Sequence, residues 1–157
     1  ACDDWFMTGQ LSPFLRSKDV NSGGVVMKEF DRHAHKFAIE ILDPKVELQI
    51  FNPFDLGVPL YLRYMKAYPE PGIYPTSLIT LRGQAFGVDP TGHESLSKIH
   101  VNRVVFVGYV PPGWSELSIE RMEEGKPYPL RVTGFVLSPT DEDYTLDDAL
   151  ETRDDVS

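Results

Sequence analysis

The 157-residue sequence predicts an all-β protein, an antiparallel β-sandwich of about seven to eight strands. Two observations favour this fold class. Short runs rich in β-branched and aromatic residues alternate apolar with polar side chains, as half-buried strands do. Prolines and glycines separate these runs at intervals too short for helices between parallel strands. Hydrophobic residues make up 41% of the chain and charged residues 25%, which is typical of a globular domain.

The strand-like runs follow one another between residues 25 and 138. Residues 46–51 alternate most regularly, and residues 99–110 are the most hydrophobic run, which places them in the middle of a sheet. Three prolines within 69–75 exclude a central strand there. We therefore expect a leader at 1–24, a sandwich domain at 25–138 and an acidic tail at 139–157. The remaining predicted strands are 25–30, 36–42, 59–68, 77–87, 117–122 and 128–132.

Two further elements are predicted around this sandwich. Thr145 and Asp148 approximate a capping box, and Leu146 and Leu150 share a helical face, so we expect a short C-terminal helix over 145–153. Glycines inside strand-like runs, each followed by Phe and then by Pro-Thr, also suit the bent strands of a barrel. An OB-like barrel is therefore the alternative fold.

The segment from Gly125 to Val132 carries a resemblance. A turn glycine is followed three residues later by Tyr128, and Tyr128, Leu130 and Val132 then alternate along one strand. This arrangement resembles the tyrosine corner of immunoglobulin-like and fibronectin-like sandwiches. The resemblance implies an immunoglobulin-like topology, with the ring of Tyr128 packed inward and its hydroxyl bonded to the upstream backbone.

The net charge of −9 is concentrated at the end of the chain. Between Pro139 and Ser157, eight acidic residues face Arg153 alone, whereas the preceding 138 residues are nearly balanced. A nucleic-acid-binding protein needs a basic surface for the phosphates, so no nucleic acid is expected. The tail instead predicts a basic protein partner, for which Asp143, Asp147 and Asp148 are the candidate contacts.

Ala1-Cys2 resembles the end of a bacterial lipoprotein signal, where cleavage precedes a cysteine that carries lipid. This resemblance implies a membrane tether through Cys2, and a location in the bacterial periplasm or envelope, either lipid-anchored or secreted. No other cysteine is present, so no intrachain disulfide is possible. The fold must therefore rest on its hydrophobic core.

The chemistry-bearing residues favour binding over catalysis. The sequence contains no nucleophile elbow, phosphate-binding loop or His-Glu-x-x-His motif, so neither an enzyme nor a cofactor is expected. In an extended strand Asp31, His33 and His35 would point to one side, which makes them the candidate metal ligands.

Aromatic residues beside proline-rich loops supply the candidate contact surface, because Tyr and Trp bury a large area at low entropic cost. We expect Tyr68, Tyr74, Pro112 and Trp114 to meet a partner. The sequence thus predicts a non-catalytic protein–protein interaction module in a bacterial envelope lipoprotein. It would resemble toxin-immunity proteins or accessory subunits of secretion machines. The alternatives are a structural subunit of a viral or cellular assembly and a metal-binding protein.

Overall fold

The computed structural model describes residues 15–17, 24–31, 36–66, 73–91, 101–138, 150–151 and 154–156. These residues form two β-sheets packed face to face, which confirms the all-β sandwich and excludes a single closed barrel. Among the described residues, no helix is long and apolar enough to cross a membrane.

Twelve strands account for the secondary structure of these residues. They are β1 (Leu15–Arg16), β2 (Val25–Asp31), β3 (Lys36–Ile41), β4 (Lys45–Asn52), β5 (Val58–Lys66), β6 (Ser77–Leu81), β7 (Gln84–Val88), β8 (Val101–Val110), β9 (Gly113–Arg121), β10 (Leu130–Leu137), β11 (Leu150–Glu151) and β12 (Asp154–Val156). Sheet A has the order β1-β4-β9-β6-β7-β12, and sheet B has the order β11-β8-β5-β10-β3-β2.

The central strands pair in a nested series. β6 and β7 form a hairpin, and outside it β5 pairs with β8, β4 with β9 and β3 with β10, all antiparallel. The chain therefore folds back on itself as one long antiparallel ribbon, and its successive strand pairs lie alternately in sheet A and sheet B. The hairpin turns at Arg82 and Gly83, whose φ angles of 52° and 82° are both positive. Two such residues make the tight turn that matches the twist of its flanking strands.

The core lies between the sheets and follows the alternation of the strands. In β4, Val46, Leu48 and Ile50 are buried while the residues between them are partly exposed. β9 repeats this pattern with Leu117 and Ile119. Full burial of an aliphatic side chain contributes roughly 1.5–3 kcal/mol, so this core is the main source of stability. Sheet B contributes Ile39, Ile41, Leu60, Leu62, Tyr64, Val105, Val107, Leu130, Val132 and Phe135.

Short strands complete the edges of both sheets. β1 pairs with β4, β12 pairs antiparallel with β7, and β11 pairs in parallel with β8. The helix predicted over 145–153 is therefore wrong where the structure describes it, because Leu150–Glu151 is a strand. A helix of two to three turns is marginal by itself, whereas a sheet edge offers hydrogen-bond partners to the backbone. Residues 145–149 lie outside the described residues.

The two outer faces of the sandwich differ. On sheet B, Tyr61, Val104 and Val136 are buried although they point away from the core, while Tyr64 on the same strand as Tyr61 points inward. On sheet A, the residues of β4 and β9 that point outward are partly or fully exposed, as Glu47 and Trp114 are. Sheet A therefore presents the open face.

Candidate functional site

Three loops meet at one end of the sandwich. They are the turn between β3 and β4, the segment that leads into β6, and the long connection from β9 to β10. Backbone hydrogen bonds join them: Arg121 N donates to Pro44 O at 2.7 Å, Met122 N donates to Thr76 O at 2.8 Å, and Tyr128 N donates to Ile73 O at 3.1 Å. The loops are thus fixed to one another, and this end of the molecule has a defined shape.

A cleft of about 270 Å³ opens between these loops. We call it the end cleft. Its walls come from both sheets, because β3 and β10 belong to sheet B and β9 to sheet A. The residues that line it are Leu42, Pro75, Arg121, Glu124, Gly125, Lys126, Pro127, Tyr128 and Pro129.

Arg121 is the most deeply placed polar residue of the end cleft. It follows the inward residues Leu117 and Ile119 by the two-residue period of β9, so its side chain starts on the core side. One guanidinium nitrogen contacts Glu124 Oε2 at 3.3 Å. Its Nε is buried and has no hydrogen-bond partner among the described residues. The cleft therefore presents a cation and a carboxylate side by side.

A second pair of charges orders the rim. Glu123 Oε1 accepts a hydrogen bond from Thr76 N at 2.9 Å, and Glu123 Oε2 lies 3.6 Å from Lys126 Nζ. The Thr76 amide, assisted by Lys126, lowers the pKa of the Glu123 carboxyl. Glu123 thus remains ionised at neutral pH, and the charges in and around the end cleft balance.

Tyr128 forms the aromatic wall, and 47% of its surface is exposed. Behind it the Arg131 guanidinium lies 5.1 Å from the Tyr128 ring centre. Arg131 Nε donates to Glu40 Oε2 at 3.0 Å, and its Nη1 donates to the Tyr74 hydroxyl at 3.3 Å. Glu40 is 7% exposed, so this ion pair is buried. A rigid polar cluster therefore supports one side of the Tyr128 ring.

The tyrosine corner predicted at Tyr128 is not found in the structure. Leu130 and Val132 are buried as predicted, but Tyr128 precedes β10 and is half exposed. Pro127 and Pro129 flank it, and a proline supplies no backbone donor for pairing, so the strand begins only at Leu130. The buried tyrosine at this end is Tyr74, which is 1% exposed and clusters with Met65 outside the core between the sheets. Burial raises the pKa of the Tyr74 hydroxyl, although Arg131 acts in the opposite direction.

The residues predicted to contact a partner are only partly brought together. Pro112 and Trp114 are exposed at the start of β9, whereas Tyr74 is buried at the opposite end of the molecule. Tyr68, Asp143, Asp147, Asp148 and the lipidation candidate Cys2 lie outside the described residues.

Of the predicted metal ligands, Asp31 ends β2, and His33 and His35 lie outside the described residues. In the part of the chain that the structure describes, no three His, Cys, Asp or Glu residues are grouped as metal ligands would be.

A second aromatic group lies on the open face of sheet A. Trp114 is 39% exposed, and its ring centre lies 5.2 Å from that of Phe51 on the neighbouring strand. The Arg16 guanidinium lies 3.7 Å from the Trp114 ring centre, and Arg16 Nε donates to Gln49 Oε1 at 2.6 Å. Glu116 is exposed and lies directly opposite Gln49. We call these five residues the Trp114 patch.

Sequence reasoning missed the end cleft. Arg121, Glu124 and Lys126 stand in a charged turn that is typical of solvated loops, and only the pairing of β9 with β4 and β6 brings it against Thr76 and Pro44. The available signal was Gly125, whose φ of 80° marks a specific turn between two strands. That signal indicates a fixed loop, but not what the loop faces.

No family model and no curated protein matches this chain. Among solved structures the chain is similar to a two-domain esterase active on acetylated mannans. The TM-score is 0.53 at 12% identity, over 82% of this chain and 34% of that chain. The chain thus spans about a third of the esterase. It is also similar to a mutant of CBM29-2, a family 29 carbohydrate-binding module. Here the TM-score is 0.51 at 14% identity, over 94% of this chain and 99% of that chain. At such identities these likenesses show a shared fold.

These neighbours overturn the function predicted from the sequence. The module that this chain matches over almost its whole length is a carbohydrate-binding module, so the prediction of a protein–protein interaction module in an envelope lipoprotein is wrong. The error has a physical cause. Exposed Tyr and Trp beside polar side chains suit a protein hot spot, but the same ring faces and hydrogen-bonding groups also suit a sugar.

Proposed function

We propose that the protein is a non-catalytic glycan-binding module, and that the end cleft is its binding site. The observation that carries this proposal is the cleft itself, which combines concave shape, a half-exposed tyrosine ring and paired charged groups. Ligand sites are typically concave and mostly apolar, with a few fixed polar groups that set orientation. The end cleft shares the concave shape and the fixed polar groups, and its surface is more polar than is typical.

The chemistry of a sugar ring fits these groups. One side of a pyranose ring presents C–H bonds, which pack on an aromatic face such as that of Tyr128. Each hydroxyl both donates and accepts a hydrogen bond. The Arg121 guanidinium can only donate and the Glu124 carboxylate can only accept, and the two groups lie 3.3 Å apart. The pair therefore satisfies both functions of one or two neighbouring hydroxyls.

The volume of the end cleft and the charges around it restrict the kind of ligand that can bind. The volume of about 270 Å³ is slightly below the ~300–1,000 Å³ of most small-molecule sites, so we infer that one sugar residue enters the cleft. The charges around the end cleft balance, and the first 138 residues are nearly neutral in total, so the site has no excess positive charge with which to attract a polyanion. The proposed ligand is therefore a neutral glycan. With such a ligand we propose that the protein is secreted.

We further infer that the sandwich is a jelly roll, in place of the immunoglobulin-like topology predicted from the sequence. Support comes from the nested pairing of β6 with β7, β5 with β8, β4 with β9 and β3 with β10, divided between two sheets. Jelly rolls consist of eight strands in two sheets and occur in lectin domains.

The test is a binding measurement with a matched pair of tyrosine variants. Isothermal titration with mannan, galactan and β-glucan fragments would identify a ligand for the wild type. Tyr128→Ala should then weaken binding about tenfold, which corresponds to about 1.4 kcal/mol. Tyr109→Ala is the control, because Tyr109 is 60% exposed but lies away from the end cleft. Equal affinity of Tyr128→Ala and the wild type would refute the proposal.

A further inference from the structure

We propose that Glu124 is the residue that excludes acidic sugars from the end cleft, and that the cleft without it binds a hexuronate, a sugar with a carboxylate at C6, through Arg121. The inference rests on the proposed function, since it names the class of sugar that the same cleft accepts and the class that it rejects. The observations that carry it are the charges that line the cleft and the contact between Arg121 and Glu124.

The walls of the end cleft carry more positive than negative groups. Of the described residues that line it, Arg121 and Lys126 are cationic and Glu124 alone is acidic. Glu123 is not among the lining residues, and its carboxylate is directed to Thr76 N and to Lys126 Nζ. Glu124 is therefore the acidic group that a ligand meets, and its removal leaves the lining with an excess of positive charge.

Arg121 is held in a position that suits an anion. Its backbone is fixed by pairing with Ser77 and by the hydrogen bond from Arg121 N to Pro44 O. The Arg121 side chain is 23% exposed, whereas that of Glu124 is 77% exposed. A guanidinium donates parallel hydrogen bonds to both oxygens of a carboxylate. Arg121 can thus bind a ligand carboxylate at the place that the Glu124 carboxylate now takes.

Glu124 rejects an acidic sugar through two effects. Its carboxylate belongs to the same turn as Arg121, so it competes for the guanidinium at an effective concentration on the order of millimolar or higher. It also repels a second carboxylate that approaches the same guanidinium. A neutral sugar meets neither obstacle, because its hydroxyls accept from Arg121 and donate to Glu124. Glu124 therefore favours neutral over acidic sugars by opposing the wrong ligand.

The experiment uses pairs of sugars that differ only at C6, where one member carries a hydroxymethyl group and the other a carboxylate. The probes are glucose with glucuronate, galactose with galacturonate, and mannose with mannuronate. Isothermal titration compares the wild type, Glu124→Gln and the control Asp55→Asn. Asp55→Asn removes the same charge from an exposed residue in the loop after β4, at the opposite end of that strand from the end cleft.

The wild type should bind the neutral member of a pair and not the acidic one. Glu124→Gln should bind the hexuronate about tenfold or more tightly than the wild type does, because a charge-assisted pair with Arg121 replaces the contact with Glu124. The gain should shrink as salt is added, and Asp55→Asn should behave as the wild type. Thermal denaturation checks folding, which we expect to be retained because the Glu124 side chain is 77% exposed.

A second variant identifies the cation that binds the hexuronate. The double variant Glu124→Gln with Lys126→Gln leaves Arg121 as the cation in the described lining of the end cleft. If Arg121 binds the hexuronate, the double variant retains the gain in affinity. Loss of the gain would show that Lys126 is the contact and would overturn the assignment to Arg121.

The outcomes separate this inference from the proposed function. If the wild type binds neutral sugars and Glu124→Gln gains no affinity for hexuronates, the end cleft binds glycan and the role of Glu124 is refuted. If Glu124→Gln binds a hexuronate while the wild type binds none of the neutral sugars or fragments, the role of Glu124 is supported and the neutral ligand is refuted. Binding of hexuronates by the wild type as tightly as neutral sugars would overturn both.

Discussion

The buried ion pair behind the end cleft gives the sharpest prediction, which is that Arg131→Ala strongly destabilises the protein. Arg131 Nε lies 3.0 Å from Glu40 Oε2, and the exposed fractions of the two side chains are 12% and 9%. Removal of the arginine leaves the Glu40 carboxylate in a site that water scarcely reaches. The same change removes the guanidinium that lies against Tyr128 and Tyr74.

The magnitude follows from the burial of the partner. Breaking a buried pair by removal of one member typically costs about 3–5 kcal/mol, and we take about 3 kcal/mol because the arginine retains slight exposure. A domain of this size has a total stability of about 5–15 kcal/mol and loses about 2–4 °C in Tm for each kcal/mol. Arg131→Ala should therefore lower Tm by about 6–12 °C.

Urea denaturation followed by circular dichroism measures the loss of free energy of unfolding, and thermal denaturation measures the fall in Tm. The control is the double variant Glu40→Val with Arg131→Val, which replaces the pair by apolar residues that suit a strand. Its stability should be close to that of the wild type, because the loss in Arg131→Ala comes from a buried carboxylate that no longer has the guanidinium beside it. A loss below about 1 kcal/mol in Arg131→Ala, or an equal loss in the double variant, would refute this account of the pair.

Two further predictions concern the loops at each end. Asn52→Ala should lower the free energy of unfolding, measured by urea denaturation, by about 2–3 kcal/mol. The reason is that the buried Asn52 amide donates to Leu56 O and Val110 O and accepts from Phe54 N. A loss no greater than that of Leu56→Ala, which changes an exposed side chain, would contradict this. Glu123 has a lowered pKa, so its contribution to stability is full above the pKa of the unfolded chain and disappears as the pH falls through the lowered value. Tm should thus fall less on acidification in Glu123→Gln than in the wild type, and parallel Tm–pH curves would exclude this role.

The strands of the core could be predicted because their side chains alternate. The run at 46–51 became β4 (Lys45–Asn52), and the run at 99–110 became β8, which has strands on both sides as its hydrophobicity indicates. The predicted strand at 77–87 was wrong as a single element, since Arg82 and Gly83 divide it into a hairpin. Glycine there was visible in the sequence, but arginine at positive φ is rare and gives no turn signal.

The candidate site could be predicted less well, because it depends on contacts distant in sequence. Trp114 was predicted to contact a partner, and it is exposed because it follows a turn and alternates with buried side chains; the contact itself stays a prediction. Tyr74 was predicted to contact a partner, and it is buried because Arg131 and Glu40 approach it from other strands. No local pattern distinguishes a tyrosine that covers a buried ion pair from one that faces water.

The alternation of β9 explains how one strand can serve two different surfaces. Even-numbered residues such as Trp114 and Glu116 point to the open face, whereas Leu117 and Ile119 point to the core. Arg121 has the inward parity, but it stands where the sandwich ends, so its charged group emerges between the sheets. A shift of one residue in the pairing of β9 would bury Trp114 and expose Ile119. The hydrophobic core that fixes this register therefore also fixes Arg121 in the end cleft and Trp114 on the open face, so a variant that preserves the core should preserve their spacing.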